Sequence, residues 1–349
     1  MKIAYIIPSL KNYGPVRVVK DTIDHLPLPS KNIKVFYFDE EVPLKFNCET
    51  QKISLSDNIG FNAFDIIHTH SLRPELYMWL NRKKFSGKHI VTLHNYNKED
   101  LAWQYNKLVS AIAFPFWIHI CRTADLIVLL SRHMKRYYTR FFPEQKLAYV
   151  YNGRNLAGGE KNLVPGDPDV NAILKLKNNY QVIGANCFLT RRKGIDQVIR
   201  ALPTLPGYAL VVIGDGKALA ELKQLAQQHQ VGNRCLFPGY RPDAFRFLHL
   251  YDFYIMPSRT EGFPLALLEA ASYQKCCICS DLPVFKEIYT PEEVSFFELE
   301  NIGSLVRAIR KASENKEEYQ SRIFKKFCEQ YTSKKMGENY YKIYQSVLP

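Results

Sequence analysis

The sequence predicts two α/β domains, each built on a doubly wound parallel sheet of the Rossmann type, and three observations carry that reading. The chain has 349 residues, more than one hydrophobic core commonly serves, so two domains of about 150 residues are expected. Short apolar runs alternate with amphipathic stretches along most of it, the pattern of parallel strands joined by crossover helices. Near the middle, Gly158-Gly159, Pro165-Gly166 and Pro168 interrupt the alternation, which places an interdomain linker at 158–169 between domains at 1–157 and 170–333.

In the first domain the strand candidates are Lys2–Pro8, Ile33–Phe38, Phe64–His68, His89–His94, Ala124–Leu130 and Lys146–Tyr151. Past the linker the alternation restarts with Tyr180–Cys187, Tyr208–Gly214, Arg234–Pro238, Asp252–Pro257 and Cys276–Ser280. Three helical stretches then follow without a strand, at about Ile302–Glu314, Lys316–Gln330 and Lys334–Val347. The last of them, extending over about 334–349, is expected to pack back onto the first domain.

Composition narrows the class. Hydrophobic residues make up 46% and charged residues 23%, which excludes general disorder and fibrous repeats. Eight cysteines show no zinc-ligand spacing, and Cys276, Cys277 and Cys279 fall in an apolar run that reads as a buried strand. A reducing, cytoplasmic compartment fits them. The first apolar stretch is too short for a signal peptide and reads as a strand. The longest apolar run, Leu108 to Cys121, is interrupted by Pro115 and carries His119, so no spanning helix is expected. Net charge is +13, of which residues 1–152 carry 21 cations minus 13 acids, or +8. Such a surplus suits phosphates, whether on nucleic acid or on an anionic membrane.

In open parallel sheets ligands bind beyond the carboxyl ends of the strands, so the loops leaving each strand carry the chemistry. The most loaded is Pro257-Ser258-Arg259-Thr260-Glu261-Gly262-Phe263-Pro264-Leu265, which continues to Glu269. A strand ends at Pro257, and Pro264 falls where proline is favoured, in a first helical turn. Free amides at such a helix start make an anion site. Glu261 and Glu269 could grip different hydroxyls of one elongated ligand, or could merely cap the helix and face solvent.

This E-x7-E element resembles that of the retaining glycosyltransferases of the GT-B fold, group 1 or family 4. Other stretches match in the family's order: Asp65-Ile66-Ile67-His68-Thr69-His70-Ser71, Val91-Thr92-Leu93-His94-Asn95, Tyr151-Asn152-Gly153, Arg192-Lys193-Gly194-Ile195-Asp196 and Val212-Ile213-Gly214-Asp215-Gly216. The resemblance covers nearly the whole chain. It implies an acceptor-binding first domain, a nucleotide-sugar-binding second domain and a cleft between them. It implies that Glu269 holds ribose hydroxyls, that Glu261 with the amides of Gly262 and Phe263 meets the transferred sugar, and that Lys193 neutralises the diphosphate. Pro264, Leu265, Gly214, Asp215, Gly239 and Tyr240 are implied nucleotide-sugar contacts, and His94 is implied beside the sugar and acceptor. His94, Glu261 and Lys193 are thus the expected catalytic residues, with no metal and no other cofactor.

Two departures from the family qualify this. Asn12-Tyr13-Gly14-Pro15 has the single glycine Gly14 where the family has a pair, and Gly184-Ala185-Asn186 lacks the family's arginine, for which Arg191 or Arg192 would substitute. Asp167-Pro168-Asp169, the only Asp-x-Asp, is read as a turn in the linker. His68 and His70 share a strand face and are assigned a structural or acceptor-contact role.

The expected activity is transfer of a hexose or N-acetylhexosamine, from a UDP-sugar by preference, to a surface polysaccharide, lipopolysaccharide or lipid-linked glycan. A GDP-mannose-type mannosyltransferase and a non-catalytic nucleotide-sugar-binding protein are the alternatives. Ser131 to Phe142 and Leu101 to Cys121 mix cations with aromatic and apolar residues. They are read either as a peripheral face on the inner side of an anionic membrane or as core with a solvated edge. No nucleic-acid motif is present, and nucleic acid is not an expected partner.

Overall fold

The computed structural model describes residues 1–39, 44–155 and 166–348. The chain forms two compact units, Met1–Asn155 with Tyr331–Pro349, and Leu156–Gln330.

The first unit runs β1 (Ile3–Ser9), α1 (Gly14–His25), β2 (Ile33–Asp39), β3 (Glu49–Lys52), β4 (Ile66–His70), α2 (Leu72–Asn81), β5 (Lys88–Leu93), α3 (Asn97–Gln104), α4 (Lys107–Cys121), β6 (Leu126–Leu129), α5 (Arg132–Tyr138) and β7 (Leu147–Tyr149). Its sheet is parallel throughout, in the order β3-β2-β1-β4-β5-β6-β7. The strand order reverses between β1 and β4. Residues Ile3 to Ile7 of β1 are fully buried, as expected of a central strand covered on both faces.

The second unit runs α6 (Pro168–Lys177), β8 (Gln181–Asn186), α7 (Ile195–Ala201), β9 (Tyr208–Ile213), α8 (Leu219–Gln228), β10 (Cys235–Gly239), β11 (Phe253–Met256), α9 (Leu265–Ser272), β12 (Cys276–Ser280), α10 (Pro283–Ile288), β13 (Ser295–Phe297), α11 (Ile302–Glu314) and α12 (Lys316–Gln330). Its parallel sheet has the order β10-β9-β8-β11-β12-β13, with the reversal between β8 and β11. The three clustered cysteines lie in β12, where Cys276, Cys277 and Cys279 are buried and free. The last helix, α13 (Ser333–Val347), belongs to the first unit and packs on α1. Arg154 N–H donates to the Tyr331 carbonyl at 2.9 Å, Ser333 N–H returns to the Arg154 carbonyl at 2.9 Å, and the Arg154 guanidinium pairs with Asp21 at 2.6 Å.

Several expectations need correction. β3 and β13, each at one edge of its sheet, are additional to the strands read from sequence; β3 is Glu-Thr-Gln-Lys and exposed throughout, so it carries no apolar signal. The third expected strand, Phe64–His68, lies two residues further along, which brings His70 into β4. Residues 158–165 of the expected linker lie outside the described residues. Its end is no turn: Asp167 accepts from the amides of Asp169 and Val170 and caps α6, with Pro168 in the first helical turn. Arg241 then bridges Asp167 and Asp169. Pro115 does not break its apolar run, since the 15-residue helix α4 continues through it to Cys121. Among the described residues no helix is long and apolar enough to cross a membrane.

Candidate active site

The reversal of strand order in a doubly wound sheet opens a crevice at the carboxyl ends of the two diverging strands. In the second unit those strands are β8 and β11, and the loops leaving them are the two that hold Lys193 and Glu261. The β8 loop runs into a short helical turn, Arg191–Lys193, and then into Gly194 at φ 68°. A Cβ on Gly194 would lie 1.9 Å from the Pro257 carbonyl oxygen, so only glycine lets the turn approach the β11 loop this closely.

The approach brings charges together. Lys193 Nζ donates to Glu261 Oε1 at 2.6 Å, and Ser258 Oγ donates to the same oxygen at 2.7 Å. Arg192 stands 3.6 Å from the other carboxylate oxygen and donates to the Thr260 carbonyl at 3.0 Å. Glu261 is buried, which by itself raises a carboxyl pKa, but Lys193, then Arg192, then Ser258 outweigh burial and hold it below the usual value. Two cations thus face one carboxylate, and the crevice keeps one positive charge in surplus.

The remaining predicted residues divide clearly. Arg191 is not part of this cluster: its side chain is 75% exposed and pairs with Glu221, so of the two candidates for the missing arginine only Arg192 reaches Glu261. Asn186, the last residue of β8, is occupied by the Ala244 carbonyl and the Tyr251 hydroxyl. Pro264 precedes α9 as its N-cap residue instead of standing in its first turn, and Glu261 makes no capping bond there. The Leu265 amide is already used by the Phe263 carbonyl at 3.1 Å. Phe263 and Gly262 are buried beside Glu261 in sequence. Glu269, half-buried on α9, adds to the effect of burial in raising the Tyr273 phenol.

Gly214 follows β9 at φ 147°, and a Cβ there would meet the Cys187 carbonyl oxygen at 1.9 Å. It is needed for the β9 exit to pack on the β8 loop. Asp215, next to it, is exposed, as is Tyr240, which follows Gly239 at the end of β10.

In the first unit the reversal lies between β1 and β4. Gly14 opens α1 just beyond β1, and His70 ends β4. His94 follows β5 directly, and its Nε2 lies 2.9 Å from His70 Nδ1. His68 is tied to Tyr344 of α13 and to Thr92, both at 2.7 Å, which makes it structural. Among the described residues, His70 Nε2 is buried without a partner. Burial lowers all three imidazoles, His94 to about 4, so this cluster is neutral at neutral pH. Ser258, Arg259, Asp196 and Gln197 around the β11 loop carry no role that the sequence alone assigns. Ser258 and Arg259 lie in the loop that leads to Glu261, but their partners become visible only in three dimensions.

Residues 171–326 match the family model described as glycosyl transferases group 1, and residues 50–157 match that of glycosyltransferase family 4. The chain belongs to the group 1 glycosyltransferases of the GT-B fold. Among members of this class, the O-antigen biosynthesis glycosyltransferase WclY of Escherichia coli is 29% identical over 365 aligned positions, covering 100% of this chain and 99% of that one. The UDP-Gal:alpha-D-GlcNAc-diphosphoundecaprenol alpha-1,3-galactosyltransferase of Escherichia coli is 26% identical over 277 positions, 76% of this chain and 70% of that one. Anabaena Alr3699/HepE, solved in complex with UDP, has the same fold at a TM-score of 0.79 and 17% identity, with 99% and 100% of the two chains covered. The chain is therefore a glycosyltransferase.

Proposed function

We propose that the enzyme transfers a hexose or N-acetylhexosamine from a UDP-sugar, with retention of configuration and without a metal, to a glycan acceptor of the O-antigen, lipopolysaccharide or lipid-linked kind. The observation that carries the donor side is the meeting of Lys193, Arg192 and Glu261 at the β8–β11 reversal. Cleaving the bond from anomeric carbon to phosphate builds negative charge on the departing diphosphate. A preorganised cation in a half-closed crevice stabilises that charge where it develops. Lys193 is the assigned cation, Arg192 its helper, and Glu261 both holds Lys193 in place and faces the sugar hydroxyls. Because the protein supplies the positive charge, the reading needs no divalent ion. Glu269 holds the ribose, and His94 is the residue of the first unit that serves the acceptor. UDP is favoured because it is bound by HepE and named for the galactosyltransferase, and WclY supports the acceptor class.

A membrane-facing role belongs to α4 in this reading. Leu108 and Ile112 are 70% and 69% exposed, and Ala111, Pro115 and Phe116 continue the same face at helical spacing. Lys107 and Arg122 stand exposed at its two ends, the arrangement of a helix lying in an anionic interface. The aromatics of 131–142 are different: Tyr138 and Phe142 are buried, and Phe141 packs edge-on to Phe114 at 5.0 Å. Ile112→Asp should lower binding to phosphatidylglycerol-containing vesicles by about ten-fold. Equal sedimentation of variant and parent would remove α4 from the membrane side.

The donor reading is tested by melting the protein with UDP-, GDP- and ADP-sugars. A ligand at about 100 times its Kd stabilises by about 2.7 kcal/mol, which is readable as a shift in Tm. UDP-sugars should give the shift. A response to GDP-sugars alone would replace UDP by GDP in the assignment. Glu269→Ala should leave the fold intact and strongly reduce transfer; unchanged turnover would refute the ribose contact.

A further inference from the structure

The contact between Lys193 and Glu261 joins two loops that are 68 residues apart in sequence, and neither residue fixes the spacing of those loops by itself. Arg259 does. Its guanidinium donates to both carboxylate oxygens of Asp196, the second residue of α7, at 2.9 Å each. It also donates to both oxygens of Glu300, with the longer bond at 3.2 Å, and to the Arg191 carbonyl. The Arg259 amide donates to the Arg192 carbonyl at 2.8 Å. One residue of the β11 loop thus grips the turn Arg191–Lys193, the helix behind it and the segment before α11.

A second side chain closes the ring. Gln197, 1% exposed, donates to the Pro257 carbonyl at 3.0 Å and accepts from the Glu300 amide at 2.8 Å. Glu300 is held at φ 64°, a backbone region that a non-glycine residue occupies only where its surroundings impose it. Arg259 also carries the charge pattern that suits the task. A planar guanidinium can serve two carboxylates and a carbonyl at once, which a lysine ammonium cannot do with the same geometry.

We propose that Arg259 is a positioning residue of the donor site: by clamping Asp196, Glu300 and the Arg191 carbonyl it sets Lys193 against the diphosphate, without touching the donor itself. The inference rests on the assignment of Lys193 to the diphosphate.

The test uses the full chain, UDP and uridine, with affinities read by calorimetry and NMR titration. Arg259→Gln should weaken UDP by about ten-fold and leave uridine, which lacks the diphosphate, within about two-fold. Arg259→Lys should recover little of the loss. Combining Arg259→Gln with Lys193→Ala should cost no more UDP affinity than Lys193→Ala alone, because the first change acts through the second residue. If Arg259→Gln does not fold, Glu300→Gln removes one arm of the clamp and should give a smaller, still diphosphate-specific loss. The proposal is overturned by UDP affinity unchanged in a folded variant, by equal losses for UDP and uridine, or by additive losses in the double variant. A parent protein that binds no nucleoside diphosphate refutes the donor reading itself and is distinguishable from all of these.

Discussion

The two units place their loops at equivalent points of two similar sheets, yet the chemistry differs. At the β8–β11 reversal the side chains are ionised and paired: Lys193 and Arg192 against Glu261, with Arg259 against Asp196 and Glu300 behind them. Around the β1–β4 reversal and the end of β5 they are neutral rings and hydroxyls, with His70 on His94 and His68 on Tyr344 and Thr92. A charged crevice suits a diphosphate that gains charge as it leaves. A neutral, desolvated cluster suits an uncharged sugar hydroxyl. One fold therefore supplies two kinds of surface, and the difference lies in a few loop residues on a shared scaffold.

The sharpest way to break this contrast is to remove the cation. Lys193→Ala should lower the transfer rate by about 10²–10³-fold, the loss typical of deleting one preorganised group that stabilises developing charge. It also leaves Glu261 buried with Arg192 at 3.6 Å as its nearest cation, so a drop in Tm should accompany the loss. Initial rates and a melting curve on the same preparation separate the two effects. A rate within a few-fold of the parent would remove Lys193 from the chemistry and with it the division between the units.

Much of this was legible in the sequence because burial is written in apolar runs. Strands such as β8, β9, β11 and β12, and the helices α11 to α13, were found within a few residues of their bounds. The edge strands β3 and β13 were not, since β3 buries none of its four residues and β13 is only three residues long; the other two edges, β7 and β10, were. The Lys193 and Glu261 loops could be located because strand ends in parallel sheets carry sites. The clamp on Arg259 could not, because its carboxylate partners lie 63 and 41 residues away. Residues 101–121 and 131–142 read alike from sequence, as both mix cations with apolar groups. Only packing shows that α4 turns an apolar face outward while Tyr138 and Phe142 after Ser131 fill the core.

Acid offers a gentler probe, because the units should respond in different pH windows. His89, 1% exposed at the start of β5, is lowered to about 3 by burial and by the Arg82 charge. Unfolded, it titrates near 6.5, so between these values the unfolded chain binds the proton and the folded chain does not. Stability is present above pH 6.5 and is lost as pH falls towards 3. From pH 7 to pH 5 this one residue should cost about 2 kcal/mol. Glu75, whose buried carboxyl is pushed up to about 8, acts in the opposite direction, so the readout is the difference between the parent and His89→Gln across that range. Glu261, held below the usual carboxyl value, keeps its contribution above about pH 4.5 and loses it only in stronger acid. His68, His70 and His94, lowered by burial in the same direction as His89, add to it against Glu75, so hydrogen exchange should show the first unit weakening before the second; simultaneous weakening would erase the contrast.

The smallest expected effect is the one that fixes the border of the charged crevice. Arg191 and Arg192 are adjacent and chemically identical, and sequence alone could assign either to the diphosphate. In the fold they diverge: Arg192 is 21% exposed and turned to Glu261 and Thr260, whereas Arg191 points to Glu221 on α8 in a pair open to water. Exposed pairs of this kind contribute about 0–1 kcal/mol, so their loss is barely felt. Arg191→Ala should then change donor KM and transfer rate by less than about two-fold, while Arg192→Ala, which strips charge from the crevice, should raise donor KM by about ten-fold. If the order of the two variants were reversed, the cation that assists Lys193 would be the exposed one. The crevice would have to be drawn around Glu221 on α8 instead of around Glu261.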